Sequence, residues 1–202
     1  MTAQVGDRYL YQGGEFTIVT MNNKLEFHPY EYGLSPSAIS TGCWRGYWCH
    51  YKISDQGIFL DKLHIHCGNE NYPEINGISV KQNGKEPFEY MGYRVYNGLN
   101  IKVNYTGSIL VGDGFIQDYY RHMGYQRSYS YKILKEFVFN NGTLVDVVDH
   151  SKLAESIREF IESASRDNPK KIIGFRGSGG RYVDEYKKQK LTKADLAKYW
   201  WL

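Results

Sequence analysis

Thirteen residues, Thr41 to Ile53 (TGCWRGYWCHYKI), contain two tryptophans, two tyrosines, two cysteines, an arginine and a histidine. The first chemistry they suggest is metal ligation, because His50 joins His64, His66, Cys43, Cys49 and Cys67 as soft or borderline donors. The spacing argues against it. Zinc-binding cysteines usually stand about two to four residues apart, whereas five residues separate Cys43 from Cys49, and no HExxH is present. Two histidines on a wet sheet face account for His64 and His66, so no metal or other cofactor is expected. Nucleophilic catalysis has no better support. The chain lacks a GxSxG elbow, and a strand cysteine is ordinarily a small buried hydrophobe.

Two further segments carry cations beside aromatics. In CWRGYW and RHMGYQRSYSY, Arg45 and Arg121 could hold a carboxylate or phosphate bidentately. Trp44, Tyr47 and Tyr125 could stack on a ring or sugar, and His122 is of the residue type that titrates near neutrality. The competing reading makes Trp44 and Tyr47 core, pairs Arg45 with an internal acid, and lets each glycine mark a bulge or close strand contact. A weaker anion site is legible in GFRGSGGRY, where Arg176, Gly177, Ser178, Gly179, Gly180 and Arg181 would offer backbone N–H groups and charge. That stretch lacks the Lys-Ser/Thr ending of a P-loop and the GxGxxG spacing, so a mobile basic loop is the plainer expectation.

The stretch STGCWRGYWCHYKISDQGIFLDKL resembles a family of bacterial proteins that has no assigned activity, in which an ST-x-x-WRGY segment precedes an aromatic strand, a turn and a second strand. Proteins of that kind carry a later TG–strand–HMGY segment, matched here by YTGSILVGDGFIQDYYRHMGYQRSYSYKILKEFVFNNGTLV. The resemblance spans roughly Asp7 to Val145 and implies one compact domain with two marked segments. This chain has Ser130 and Tyr131 where the pattern would place an acid, which weakens any acid–base role for the second motif.

The elements that must position these residues are mostly strands. RYLYQ and EFTIVT flank Gly13-Gly14 as a hairpin. GYWCHYKI and GIFLDKLHIHC read as two strands around SDQG, with Tyr47, Cys49 and Tyr51 on one face and Trp48, His50 and Lys52 on the other. ISVKQNGKEPFEY carries a turn at Asn83-Gly84, and Asn141-Gly142 between apolar runs is the strongest hairpin signal in the chain. From Ser151 the period becomes helical, with Leu153, Ile157, Phe160, Ile161 and Ala164 on one face. KKIIGF reads as a short strand, and LTKADLAKYWWL as a closing helix capped by Thr192. The expected fold is α+β: a mainly antiparallel sheet, barrel-like or strongly curved, with C-terminal helices. The expected division is one β-rich domain over 1–165 and a basic tail over 166–202 whose terminal helix docks on the body or on a partner.

The 202 residues suffice for a sizeable core. Tyrosine is abundant, at 19 residues, and suits half-buried strands as well as binding surfaces. From Arg166 onward ten Lys or Arg face four Asp or Glu, a net +6 against −3 for the rest. Such a tail could meet nucleic acid, although a solvated face explains it as well. Three cysteines, no basic-then-apolar start and no long apolar run point to a soluble cytoplasmic protein with reduced thiols and no membrane partner. The functional expectation is a non-enzymatic binding or interaction protein, accessory or immunity-like, whose partner is a protein or a small molecule. The alternative is a hydrolase or transferase acting on a phosphorylated or sugar-like small molecule through Arg45, Arg121 and His122.

Overall fold

The chain runs through β1 (Arg8–Tyr11), β2 (Gly14–Met21), β3 (Tyr47–Ser54), β4 (Gly57–Ile65), β5 (Arg94–Val103), β6 (Gly107–Phe115), β7 (Tyr131–Asn140) and β8 (Thr143–Asp149) before α1 (Ser151–Ser165), α2 (Gly179–Lys190) and α3 (Lys193–Lys198). The structure is a computed structural model and describes residues 2–25, 27–80, 91–165 and 179–202. All eight strands belong to one sheet in the order β5-β4-β3-β1-β2-β6-β7-β8. Every pairing is antiparallel except β1 with β3, which is parallel. The α+β expectation holds, with the sheet strongly curved rather than closed.

Turn chemistry explains the hairpins. Asn141 and Gly142 have φ of 48° and 73°, the left-handed pair that a two-residue primed turn requires. In the first hairpin the register pairs Tyr11 with Gly14, so the loop is Gln12-Gly13, one residue earlier than the glycine pair suggests. Gln12 tolerates φ of 49°, which frees Gly14 to open β2.

Curvature comes with register shifts in which extra residues bulge from β2 (Val19), β4 (Asp61), β5 (Gly98 to Asn100) and β8 (Val145), each bending and twisting its strand. It brings the β3–β4 turn against the β7–β8 turn: a Cβ on Gly57 would lie 2.0 Å from the Gly142 carbonyl oxygen. The inner face then packs on itself. Tyr9, Phe16, Cys49, Tyr51, Leu63, Ile109 and Phe137 belong to one buried cluster, and each large apolar side chain taken from water contributes roughly 1.5–3 kcal/mol.

The outer face is covered over β6 and β7 by helix. Ala154 of α1 meets Leu110 and Leu134, while Ile157 and Ile161 pack with Tyr129 and with Tyr186 of α2. Helix α2 corrects the loop expectation for Gly179 to Arg181, which form its first turn. Its lysine-rich sequence has a narrow apolar face, Tyr182, Val183 and Tyr186, that becomes helical by docking on α1. The turn at Asn83-Gly84 and the strand KKIIGF lie outside the described residues. Thr192 and Asp195 cap α3 reciprocally, at 2.9 and 3.2 Å. Beyond it, the Trp200 indole donates to the buried Glu136 carboxylate at 2.8 Å, and the other carboxylate oxygen meets His150 at 2.8 Å. Among the described residues no helix is long and apolar enough to cross a membrane.

Candidate functional site

The segment Thr2 to Asp7, which carries no motif, brings the two marked segments together. The Gln4 N–H donates to Gly124 O at 2.9 Å, and the Val5 N–H donates to Gly42 O at 2.8 Å. The Gln4 side chain accepts from the Trp44 N–H at 3.1 Å and donates to Thr41 O at 2.9 Å. A short stretch of chain therefore lies between residues 41–44 and residue 124, with backbone bonds to both sides.

Asp7 ends that stretch and is buried. Its carboxylate accepts both terminal nitrogens of Arg45, at 2.6 and 3.2 Å, and the Cys49 N–H at 2.8 Å. Burial pulls the Arg45 guanidinium down, and the Asp7 carboxylate more than offsets this, so its pKa ends above the ordinary arginine value. The guanidinium also sits 4.8 Å over the Tyr47 ring. Arg45 is thus engaged by an internal acid, and Tyr47 packs against the core. Trp44, by contrast, is 59% exposed.

Beside this pair, over the outer face of β1 to β4, opens a cavity of about 510 Å³, within the range of about 300–1,000 Å³ usual for small-molecule sites. Strand alternation supplies its floor: Arg8, Thr17, Trp48, His50 and His64 all point away from the core. Its aromatic wall is Phe115, Tyr120, Tyr125 and Tyr131. Close approach of Tyr131 needs glycine opposite, since a Cβ on Gly112 would stand 2.3 Å from the Tyr131 ring. Arg8 donates to the Thr17 hydroxyl and reaches Glu15 at 4.0 Å.

His64 is the unusual group of this floor. It stacks on Trp48 with ring centroids 4.5 Å apart and planes 7° from parallel, and His50 lies 5.0 Å away. The residue is 4% exposed, and neither ring nitrogen has a hydrogen-bond partner. Burial, then His50 and Lys62, push its pKa down to about 3, so the ring is neutral at physiological pH. Buried polar atoms are nearly always bonded; both nitrogens of this ring are closed off from solvent without a partner, so His64 is a polar group held at a cost against the Trp48 ring.

A second cleft, of about 490 Å³, adjoins the first. The two share Tyr125 and Gln126, and strand β2 floors both, with Thr17 and Ile18 under one and Val19 and Thr20 under the other. The loop between them is closed by Gln126, whose side chain accepts from the Arg121 N–H at 2.7 Å and donates to Arg121 O at 2.9 Å. Arg121 and Arg127 line this second cleft with Tyr129 and Lys187. His122 is half-buried in the same loop and lines neither cavity.

The structure therefore brings Arg121 and Tyr125 to adjoining cavities, holds Arg45 and Tyr47 just behind them, and leaves Trp44 at the surface. Of the glycine-rich anion loop, Arg176, Gly177 and Ser178 lie outside the described residues. Gly179, Gly180 and Arg181 are helical, and Arg181 pairs with Glu185 at 3.4 Å. Sequence reasoning passed over Asp7, Trp48 and His64 as members of one site. The outward alternation of Trp48 and His50 was legible, and so was the strand pair that carries His64; the burial of His64 against the Trp48 ring was not. Cys43, Cys49 and Cys67 are all unpaired and buried, and burial raises each thiol above its usual range, which keeps it protonated. No protein-family model, curated protein or solved structure matches the chain.

Proposed function

We propose that the protein is a non-enzymatic binding protein of the bacterial cytoplasm whose receptor site is the aromatic cavity over β1 to β4. The observation that carries this reading is the cavity itself: about 510 Å³ over a polar floor of Arg8, Thr17 and His50, walled by three tyrosines and a phenylalanine. A ring compound with a polar edge fits such a place, because its faces meet aromatic surface and its edge meets the polar floor. The engagement of Arg45 by Asp7 favours binding over the enzyme alternative, which needs that guanidinium at the reacting centre. The resemblance to the WRGY/HMGY family belongs to the same proposal, its two marked segments being those that flank the site.

The test is a calorimetric screen of small ring compounds against the wild-type chain, His50→Ala and Thr17→Trp, the last filling the cavity floor. Binding should weaken about tenfold in His50→Ala and vanish in Thr17→Trp. Ligands that bind all three chains equally would place recognition elsewhere and sink the proposal.

A further inference from the structure

We infer that the ligand is a ring bearing a phosphomonoester, with the ring in the aromatic cavity and the phosphate in the adjoining cleft between Arg121 and Arg127. This rests on the binding reading above and adds to it the chemical class.

Three cations, Arg121, Arg127 and Lys187, line the cleft against one acid, Asp184. Among the described residues neither Arg121 nor Arg127 has a carboxylate partner, although most surface guanidiniums find one easily in a chain with 22 acids. The other charges of the cleft are accounted for: Lys187 bonds the Leu202 carbonyl and lies 3.9 Å from Asp184. Both guanidiniums act on the buried Tyr129. Burial pushes its phenol up, and Arg127 and Arg121 pull it back, so both guanidiniums act near the Tyr129 that lines the cleft with them. Guanidinium pairs are the preferred partners of phosphate because their planar donors match its oxygens.

The adjacency of the two spaces ties the anion to a ring. The floors are two residues apart along β2, about 7 Å at the rise of an extended strand, and this is within the reach of a phosphate carried on a ring by one or two bonds. Tyr125 and Gln126, common to both linings, stand where the linker would pass. An inorganic anion would leave the aromatic wall unused, and an uncharged ring would leave the two arginines unpaired.

Calorimetry with two matched pairs, AMP against adenosine and glucose 6-phosphate against glucose, tests this and separates a nucleoside from a sugar as the ring. At least one phosphorylated member should bind the wild type tenfold or more tightly than its parent. Arg121→Gln/Arg127→Gln should abolish that advantage, since each charged hydrogen bond lost costs about tenfold or more, and leave the parent's affinity unchanged. Arg121→Lys/Arg127→Lys should retain part of it, and unfolding midpoints equal to wild type certify the fold of both variants. Equal affinities for phosphorylated and parent compounds, or an advantage that survives the Gln variant, overturn the inference and leave the binding reading standing. If no member of either pair binds, the phosphorylated-ligand inference falls, and the ring-compound screen above decides the binding reading independently.

Discussion

Replacing His64 by Phe should make the protein more stable, and increasingly so as the pH falls. Phenylalanine keeps the flat stack on Trp48 at 4.5 Å while removing two buried nitrogens that bond nothing. An unpaired buried polar group costs about 1–3 kcal/mol. Because the ring borders a cavity, the lower part of that range applies, and the gain at pH 7.5 should be about 1–2 kcal/mol. For a chain of this length that raises the unfolding midpoint by roughly 2–8 °C. The acid side adds a second contribution. The folded pKa of about 3 lies below the ordinary 6.5, so the unfolded chain takes up a proton first, and stability present above pH 6.5 is lost as the pH falls below it. Between pH 7.5 and pH 5 this removes about 2 kcal/mol from the wild type and nothing from His64→Phe. The stability gap should therefore widen to about 3–4 kcal/mol at pH 5. Urea unfolding followed by circular dichroism at the two pH values measures it, and the other titrating groups cancel in the difference. A gap that stays constant with pH would show that His64 is charged or partnered in the folded chain. A variant less stable than wild type at both pH values would refute the unpaired-nitrogen account altogether.

Three further outcomes follow from other contacts. Arg45→Met, which leaves the buried Asp7 carboxylate unpaired, should cost about 3 kcal/mol, and Asp7→Asn about 1 kcal/mol. The double variant should cost less than the two together by more than about 1 kcal/mol, and additive costs in urea unfolding would deny the coupling. Hydrogen bonds from His150, Trp200 and Ser108 outweigh burial and hold the Glu136 carboxyl down to about 2. Its stabilisation is present above the usual pKa of 4.5 and should be lost as the pH falls from there toward 2; Glu136→Gln should lack this loss when urea midpoints are compared at pH 5 and pH 3. Gly57→Ala sets a Cβ 2.0 Å from Gly142 O at φ +124°, and the overlap and backbone strain should cost about 2–4 kcal/mol by thermal unfolding.

Local rules made much of the sheet legible. Asn141-Gly142 demanded its turn, and the alternation of YWCHYKI sorted Tyr47, Cys49 and Tyr51 from Trp48, His50 and Lys52 onto the faces the structure gives them. The helix at Ser151 followed from its period, and α3 from Thr192. Helix α2 was hidden because its helicity depends on docking rather than on its own pattern. The site was harder for the same reason. Its floor draws on residues from Arg8 to His64 and its wall on Phe115 to Tyr131, and no spacing rule within a segment reports a pairing between strands so far apart. The acid expected to hold Arg45 was inferable as a kind, but only the fold singles out Asp7 among 22 acids.

The parallel pairing of β1 with β3 joins the sheet across three residue pairs, Arg8 with His50, Tyr9 with Tyr51, and Leu10 with Lys52. On either side stands a three-stranded meander, β3-β4-β5 and β6-β7-β8, each assembled from neighbours in sequence, and the β1-β2 hairpin is the wedge between them. The meanders can form early from local contacts, whereas the wedge must wait for loop closure over long stretches of chain. This junction is then the line along which the molecule opens first, and its amides should exchange with solvent as a unit. The cavity spans that line, with Trp48, His50 and His64 on one bank and Phe115 and Tyr131 on the other. A ligand bound there would hold the two banks together, and its binding should be readable as slowed amide exchange in β1.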